Sequence, residues 1–544
     1  MKRRDFLKTL TYGTTGALVL NQIPLQAMPA SAPLNRLLAN STNDNVVVLI
    51  QMHGGNDGLN TLIPLYRYNE YYNIRPNIAI PQYGSRRYIT LDSTVPAEAQ
   101  IGLHPDMAAM KTMYDMGMAS FVQNVAYANM NLSHFRSRDI WFMGGNYNDM
   151  FNSGWMGRFL EYEYPGYPEN YPNAAMPDPP GIEMGNAMSI AFHRSNGIPA
   201  GISIGDPNRF YELIQEVGIA PPVSFPDSKH GVELKYLYEF EIKTNEYADR
   251  LKELWDKGKN TVDYPEIYPL NAPQSYQRNP LSEQFKIIAR LLSGGSKTRI
   301  FLIRMGGFDS HAGQVESYDT SMGRHAALLY HLSTAVKAFY DDLENQGMAN
   351  KVLSMTFSEF GRRAYSNGSY GTDHGTAGPI MLFGKGLKGG VYGKNPDLTK
   401  LNNGNLINEF DYRQVYSSVL KDWLGAQDTA LQASNFGDFI NQRLDLFQTT
   451  GIDQNYQSIS PLLGDCYPNP VINTLHIPVY LSENKHMTAR IYTSGGILVK
   501  EITNQLWSAG SHTLYAEMRH LPKGAYMVRV TTTDAQMIRK VVVQ

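Results

Sequence analysis

The sequence predicts an α/β fold, with a largely parallel central sheet flanked by helices and a small all-β sandwich at the C-terminus. Three observations carry this. Short, unbroken apolar runs recur, as in strands buried on both faces. Amphipathic helical patterns lie between several of them. Beyond about residue 451 the chain changes to short alternating runs between turn signals.

The elements follow in order along the chain. Lys2, Arg3 and Arg4 precede Asp5-Phe6-Leu7-Lys8, a Gly/Thr/Ala-rich apolar run reaches Leu20, and small-residue cleavage options follow around Ala27 to Ala32. Residues 1–32 therefore read as an export signal, and the paired arginines give it a twin-arginine character. The α/β domain is expected over 43–450. Its first strand is Asn45 to Met52 (NVVVLIQM), and similar runs occupy Ala119–Val125, Arg299–Met305, Lys351–Phe357 and Pro379–Phe383. The clearest helix spans about Met322 to Asn345, where Leu328, Leu329, Leu332, Val336, Phe339 and Leu343 recur at three- and four-residue spacing. The Tyr/Pro/Asn-rich stretch from Tyr162 to Gly181 fits neither helix nor strand and reads as a surface loop, or as a lid beside a crevice. Residues 451–464 read as a linker. Residues 465–544 read as the sandwich, with runs at Thr488–Tyr492, Ile497–Ile502, Gly510–Ala516 and Ala525–Thr531.

Composition narrows the function. Across 544 residues, 42% are hydrophobic and 18% charged, which excludes a mainly disordered chain. Lys and Arg total 48 against 50 Asp and Glu, so the basic stripe of a nucleic-acid binder is not expected. A single cysteine, Cys466, excludes an intramolecular disulfide and any multi-cysteine zinc site. A metal would have to be held by Asp, Glu, His and hydroxyl groups. No run approaches the roughly 20 apolar residues of a membrane-spanning helix.

Polar clusters follow the apolar runs: HGGNDGLN at 53–60, NLSHFRS at 131–137, GGFDSH at 306–311 and SEFGRR at 358–363. In open α/β sheets the strand carboxyl ends line the ligand crevice. Asp57, Asp309, His311, Glu359, Asp373 and His374 thus form a candidate metal set, a mixed oxygen and nitrogen group suited to Zn, Mn, Mg or Ca. Each alone has a plainer role, as a turn residue or as a partner for Arg362 or Arg363. Ser133 stands where a helix starts, as a cap or as a nucleophile beside free N–H groups that attract an anion. His53 and His134 lie close enough in sequence to be extra ligands or acid–base groups. His325, His331 and His104 read as packing or turn residues.

These motifs, with KGGVYG and the DYRQVY segment before WLG, resemble over about 45–430 the exported bacterial family catalogued as domain of unknown function fifteen-oh-one. That resemblance implies an alkaline phosphatase-like fold and a metal site, often binuclear, with a nucleophile attacking a phosphate or sulfate ester. It implies Ser133 as nucleophile, His134, Arg136 and Arg362 on the substrate, and the six residues above on a divalent metal ion. Phe360 stands where a histidine is expected, which leaves one metal position short of a ligand. With no cysteine in the domain, a formylglycine sulfatase is excluded. The tail, with YPNP at 467–470, LPKGAY at 521–526 and the closing KVVV, resembles a type IX secretion sorting domain of Bacteroidetes-type bacteria. It implies the type IX machinery as a partner and a protein exported through the periplasm, then secreted or attached to the cell surface. The expected function is a metal-dependent hydrolase of phosphate or sulfate esters, small or glycan-borne. The alternative is a non-catalytic surface protein that uses the same fold to bind glycan or a partner protein.

Overall fold

The computed structural model describes residues 43–204 apart from 186, residues 247–448, and residues 462–544 apart from 464, 465, 482, 483, 509, 534 and 535; it also describes 18–20 and 23–25, which pair as two short strands. The rest of the export segment expected over 1–32, and most of the linker expected over 451–464, lie outside the described residues. The chain divides into two compact units, Met1–Gln448 and Thr449–Gln544.

The first unit is built on a nine-stranded sheet, beside a small antiparallel sheet of Leu62–Pro64, Ile101–Leu103 and Ile89–Thr90; the large sheet positions the site. Its strands are β1 (Val46–Met52), β2 (Ala119–Ala126), β3 (Gly181–Met184), β4 (Ile202–Ile204), β5 (Ile300–Met305), β6 (Val352–Phe357), β7 (Gly378–Phe383), β8 (Gly390–Tyr392) and β9 (Phe410–Asp411). Their order is β8-β2-β7-β6-β1-β5-β3-β4, with β9 also on β2. Every pairing is parallel except those of β7, which runs antiparallel to both β6 and β2. The α/β expectation holds.

The unbroken apolar runs have a direct physical cause. In β1, Val46, Val48, Ile50 and Met52 enter one hydrophobic core, while Val47 and Leu49 enter the core on the opposite face. Successive side chains of a strand alternate between faces, so a strand covered on both sides needs apolar residues at every position. Helices supply the covers. α3 (Arg324–Asn345) buries Leu328, Leu329, Leu332, Val336, Phe339 and Leu343 in the first core beside α2 (Ser282–Ser293). On the other face, α1 (His134–Met143) and α4 (Tyr412–Ser418) bury Trp141, Tyr412 and Tyr416 against one another. The Tyr/Pro-rich stretch begins inside a helix, Trp155–Glu163, and then continues as a packed loop, with Tyr167, Met176 and Asp178 buried.

The sheet fixes where polar groups can collect. β1, β5 and β6 are parallel neighbours, so the residues that follow them emerge at one edge. β7 points the other way, so the segment that precedes it starts from that same edge. β2, antiparallel to β7, also ends at that edge, so segments after β1, β2, β5 and β6 and before β7 converge there.

The second unit is a β-sandwich. One sheet joins β10 (Leu462–Leu463), β11 (Thr474–Leu481) and β14 (Gly510–Glu517); the other joins β12 (Lys485–Thr493), β13 (Leu498–Trp507), β15 (Gly524–Thr531) and β16 (Gln536–Val543) in the order β13-β12-β15-β16. Ile477, Ile491, Val528 and Val541 share its core.

Candidate metal centre

Asp309 is the hub of the sheet edge. It follows β5 through Gly306 and Gly307, and the buried Phe308 anchors the turn. The turn after β1 passes so close that a Cβ on Gly54 would lie 2.2 Å from the Asp309 amide nitrogen, and Gly54 has φ +121°. Only glycine fits there. The half-exposed Asp309 carboxylate takes Arg362 (2.8 Å) and His311 Nδ1 (2.7 Å) on Oδ1. His374 Nε2 lies 3.5 Å from the same oxygen, and His134 Nε2 lies 3.4 Å from Oδ2. Burial alone would raise its pKa, but the Arg362 hydrogen bond and charge, with His311 and His134, hold it at about 2.

Two imidazoles are oriented from behind. His134, the first residue of α1, has Nδ1 2.8 Å from Glu359 Oε1, a carboxylate with no exposed surface. That hydrogen bond to Glu359 raises the His134 pKa, with burial opposing. His374 Nδ1 lies 2.8 Å from the Leu132 carbonyl oxygen, which can only accept, so Nδ1 carries the proton. Burial pushes its pKa down, so the ring is neutral and Nε2 is a lone pair. That buried Nε2 has no hydrogen-bond partner and faces Asp309. A lone pair facing a carboxylate is repulsive unless a cation lies between them. His134, Asp309 and His374 offer ligand atoms within 4.8 Å of one another. A histidine held through its far nitrogen by a carboxylate or carbonyl is the usual support for a metal ligand.

Phe360 explains the missing histidine. It is buried, and its ring lies 4.9 Å from that of His134 and 4.4 Å from that of His374. An apolar ring packs against both imidazoles where a further donor was expected. His53 and His311 flank the group, with ring centroids 6.0 Å from His134 and 4.5 Å from His374 respectively.

The other expected residues are placed differently. Asp57 is buried away from the histidines. Arg75 Nη1 binds both its oxygens (2.9 and 2.8 Å) and Gln314 donates to Oδ2 at 2.6 Å, so its lone pairs are committed to protein donors. Glu359 orients His134 rather than joining the triad: its Oε1 accepts from the Gly54 amide (2.8 Å) as well as His134, while Oε2 is buried and unpartnered. Asp373 is exposed and tied to Asn367, outside the cluster. Arg362 is a buried clamp, donating to the carbonyls of Gly54, Gly55, Phe308 and Thr372 and to Asp309. Its donors are committed within the protein rather than offered to an ester. Arg136 likewise binds the carbonyls of Tyr147 and Asp149. His134, expected on the substrate or as an extra ligand, stands in the cluster with Asp309 and His374. Ser133 caps α1 in position only: it is exposed, its side chain makes no capping bond, and its amide donates to Asn131.

Two family models match parts of the chain. Residues 239–422 match the model of a family described as a protein of unknown function (DUF1501), which spans Asp309, Glu359 and His374 but not His134. Residues 465–544 match a secretion system C-terminal sorting domain. No curated protein matches the chain. A protein in the alkaline phosphatase superfamily from Vibrio parahaemolyticus is 10% identical, with 92% of this chain and 82% of that one covered and a TM-score of 0.32. The structure of Ps i-CgsB is 11% identical, with 82% and 84% covered and a TM-score of 0.34. Latent PorU from Porphyromonas gingivalis is 16% identical over 16% of this chain and 10% of its own, with a TM-score of 0.14. The sorting domain implies handling by a secretion system and export. No described helix is long and apolar enough to cross a membrane.

Proposed function

We propose that the protein is an exported, metal-dependent hydrolase of phosphate or sulfate esters, with one divalent ion held by His134, Asp309 and His374. The observation that carries this reading is the His374 ring: its proton is fixed on Nδ1 by the Leu132 carbonyl, leaving a buried, unpartnered Nε2 directed at Asp309. Two imidazole nitrogens and one carboxylate suit zinc or manganese better than magnesium or calcium, which favour all-oxygen sets. Such an ion supplies Lewis acidity, drawing charge from an ester oxygen.

The chain's own groups do the rest. Glu359 and the Leu132 carbonyl fix the two rings, and Phe360 keeps water from one side of them. The first turn of α1 leaves amide N–H groups without intrahelical acceptors, a setting for an ester's anionic oxygens. Ser133 is the attacking group in this reading. Its hydroxyl oxygen bonds to phosphorus or sulfur as the ester oxygen leaves. Its proton passes to solvent, and one is taken up by the leaving oxygen to give the alcohol. Water then cleaves the serine ester to free phosphate or sulfate and the serine hydroxyl. The sorting tail supports type IX machinery as the export partner.

The test is metal content and ester hydrolysis of the purified protein beside Asp309→Ala and His374→Ala. One equivalent of zinc or manganese is expected in the wild type, lost with the hydrolysis in both variants. A folded, metal-free wild type inert toward both ester classes would overturn the reading in favour of a binding protein. Undiminished hydrolysis by Ser133→Ala would remove the serine alone.

A further inference from the structure

The second unit carries a feature unrelated to the metal centre. In the sheet β13-β12-β15-β16, Met487, Ala489 and Ile491 of β12 and Val528 and Val530 of β15 point into the core. The alternating residues therefore form the outer face. Register places Arg490 of β12 directly opposite Arg529 of β15. Like charges directly opposite across a strand pair are destabilising unless something compensates them. Glu501 of β13, opposite Arg490, compensates one, with Arg490 Nε 2.7 Å from Glu501 Oε2. Among the described residues Arg529 has no such partner. Its guanidinium stacks on Tyr492 at 4.4 Å, and among the described residues its Nε is buried without a hydrogen-bond partner. Lys540 of β16, on the same face, adds a further cation.

Around this pair lies a hollow of about 220 Å³ lined by Thr488, Arg490, Tyr492, Arg529, Thr531 and Gln536. At about 30 Å³ per water it has room for roughly seven waters, more than a bare oxyanion fills. The lining combines a guanidinium that pairs with no acidic side chain among the described residues with three hydroxyls, those of Thr488, Tyr492 and Thr531, and an amide, groups that match an acid function and ring hydroxyls. We infer that this face binds an acidic sugar unit, with its acid group between Arg529 and Arg490 and its hydroxyls on Thr531 and Gln536; the Thr488 hydroxyl, which donates to Asn504 Oδ1 (3.1 Å), can only accept from it. Arg529 is the anchor because, among the described residues, no acidic side chain pairs with its guanidinium, which can donate two bonds to the anion.

Calorimetric titration of the full-length protein with an oligogalacturonate, a neutral oligogalactoside and inorganic sulfate tests this. The oligogalacturonate is expected to bind, the neutral sugar not, and sulfate at least tenfold more weakly. Arg529→Gln should weaken the acidic sugar at least tenfold and Arg529→Lys by less, with melting temperature checking the fold of each. Asp309→Ala should bind it as the wild type does, which separates this face from the metal centre. Absence of binding, equal binding of sulfate, or binding unchanged in both Arg529 variants would each overturn the inference, as would loss in Asp309→Ala.

Discussion

Asp57 and Asp309 begin alike and end differently. Each follows a buried central strand within a few residues, and each meets a buried arginine. Asp57 is 1% exposed, and its charge is enclosed by Arg75, which also binds Asn60 Oδ1 and the carbonyls of Ala364 and Arg363. Asp309 keeps a half-exposed carboxylate with three histidines around it. A carboxylate whose lone pairs all meet protein donors holds a fold together. One that faces an imidazole lone pair, that of His374, is arranged for something the chain does not itself supply.

The largest way to break the comparison is to remove Arg75. Arg75→Ala leaves Asp57 charged and buried without its partner, and should cost about 3–5 kcal/mol of stability, read from a denaturant melt. Asp309→Asn, half-exposed, should cost far less stability while abolishing metal binding. If Arg75→Ala instead released metal and left stability intact, the two aspartates would have exchanged roles.

Histidines draw the same contrast. His325, in the closed corner, lies 3.1 Å from Asn56 Oδ1, and burial pushes its pKa down to about 4, against the pull of Asp57. With an ordinary value of about 6.5 when unfolded, it takes up a proton first in the unfolded chain. Its contribution to stability is therefore full above about pH 6.5 and is lost as pH falls toward 4. At about 1.4 kcal/mol per unit the loss is on the order of 3 kcal/mol. His325→Gln should flatten that limb of a stability–pH profile measured by chemical melts. An unchanged slope would show that His325 is not what titrates there.

Glu359→Gln sharpens the comparison from the open side. The amide oxygen can still accept from Gly54 and His134, so the fold should hold, but the charge behind His134 is gone. Metal affinity should fall about 10- to 100-fold, measured by competition with a chelator. A first-sphere ligand would show near-complete loss instead, and would return Glu359 to the metal.

Much of this was legible in the sequence, for reasons that also mark where reading stops. The central strands announce themselves because a strand buried on both faces, such as Val46–Met52, must be apolar throughout. The same uniformity hides direction: nothing in Gly378–Phe383 shows that it runs antiparallel to its neighbours. That reversal is what brings His374, which precedes the strand, to the edge where Asp309 follows one. The fate of Asp57 was illegible because its partner lies 18 residues on, in a helix-ending loop whose path only tertiary packing sets. Arg362 was misplaced for a similar reason: SEFGRR shows two arginines but not which one turns inward.

The smallest effect concerns two helix caps. Asp411 caps α4 fully: its side chain accepts from the Arg413 amide, and Gln414 returns a bond to the Asp411 amide. Asp411→Ala should cost about 1 kcal/mol, as is typical for a cap. Ser133 occupies the same position on α1 with an exposed hydroxyl that makes no capping bond. Ser133→Ala should therefore change stability by less than about 0.5 kcal/mol, read from paired thermal melts. A serine retained for capping would show the larger figure. A stability change near zero together with lost ester hydrolysis would mean that the hydroxyl faces the substrate, because the helix does not use it.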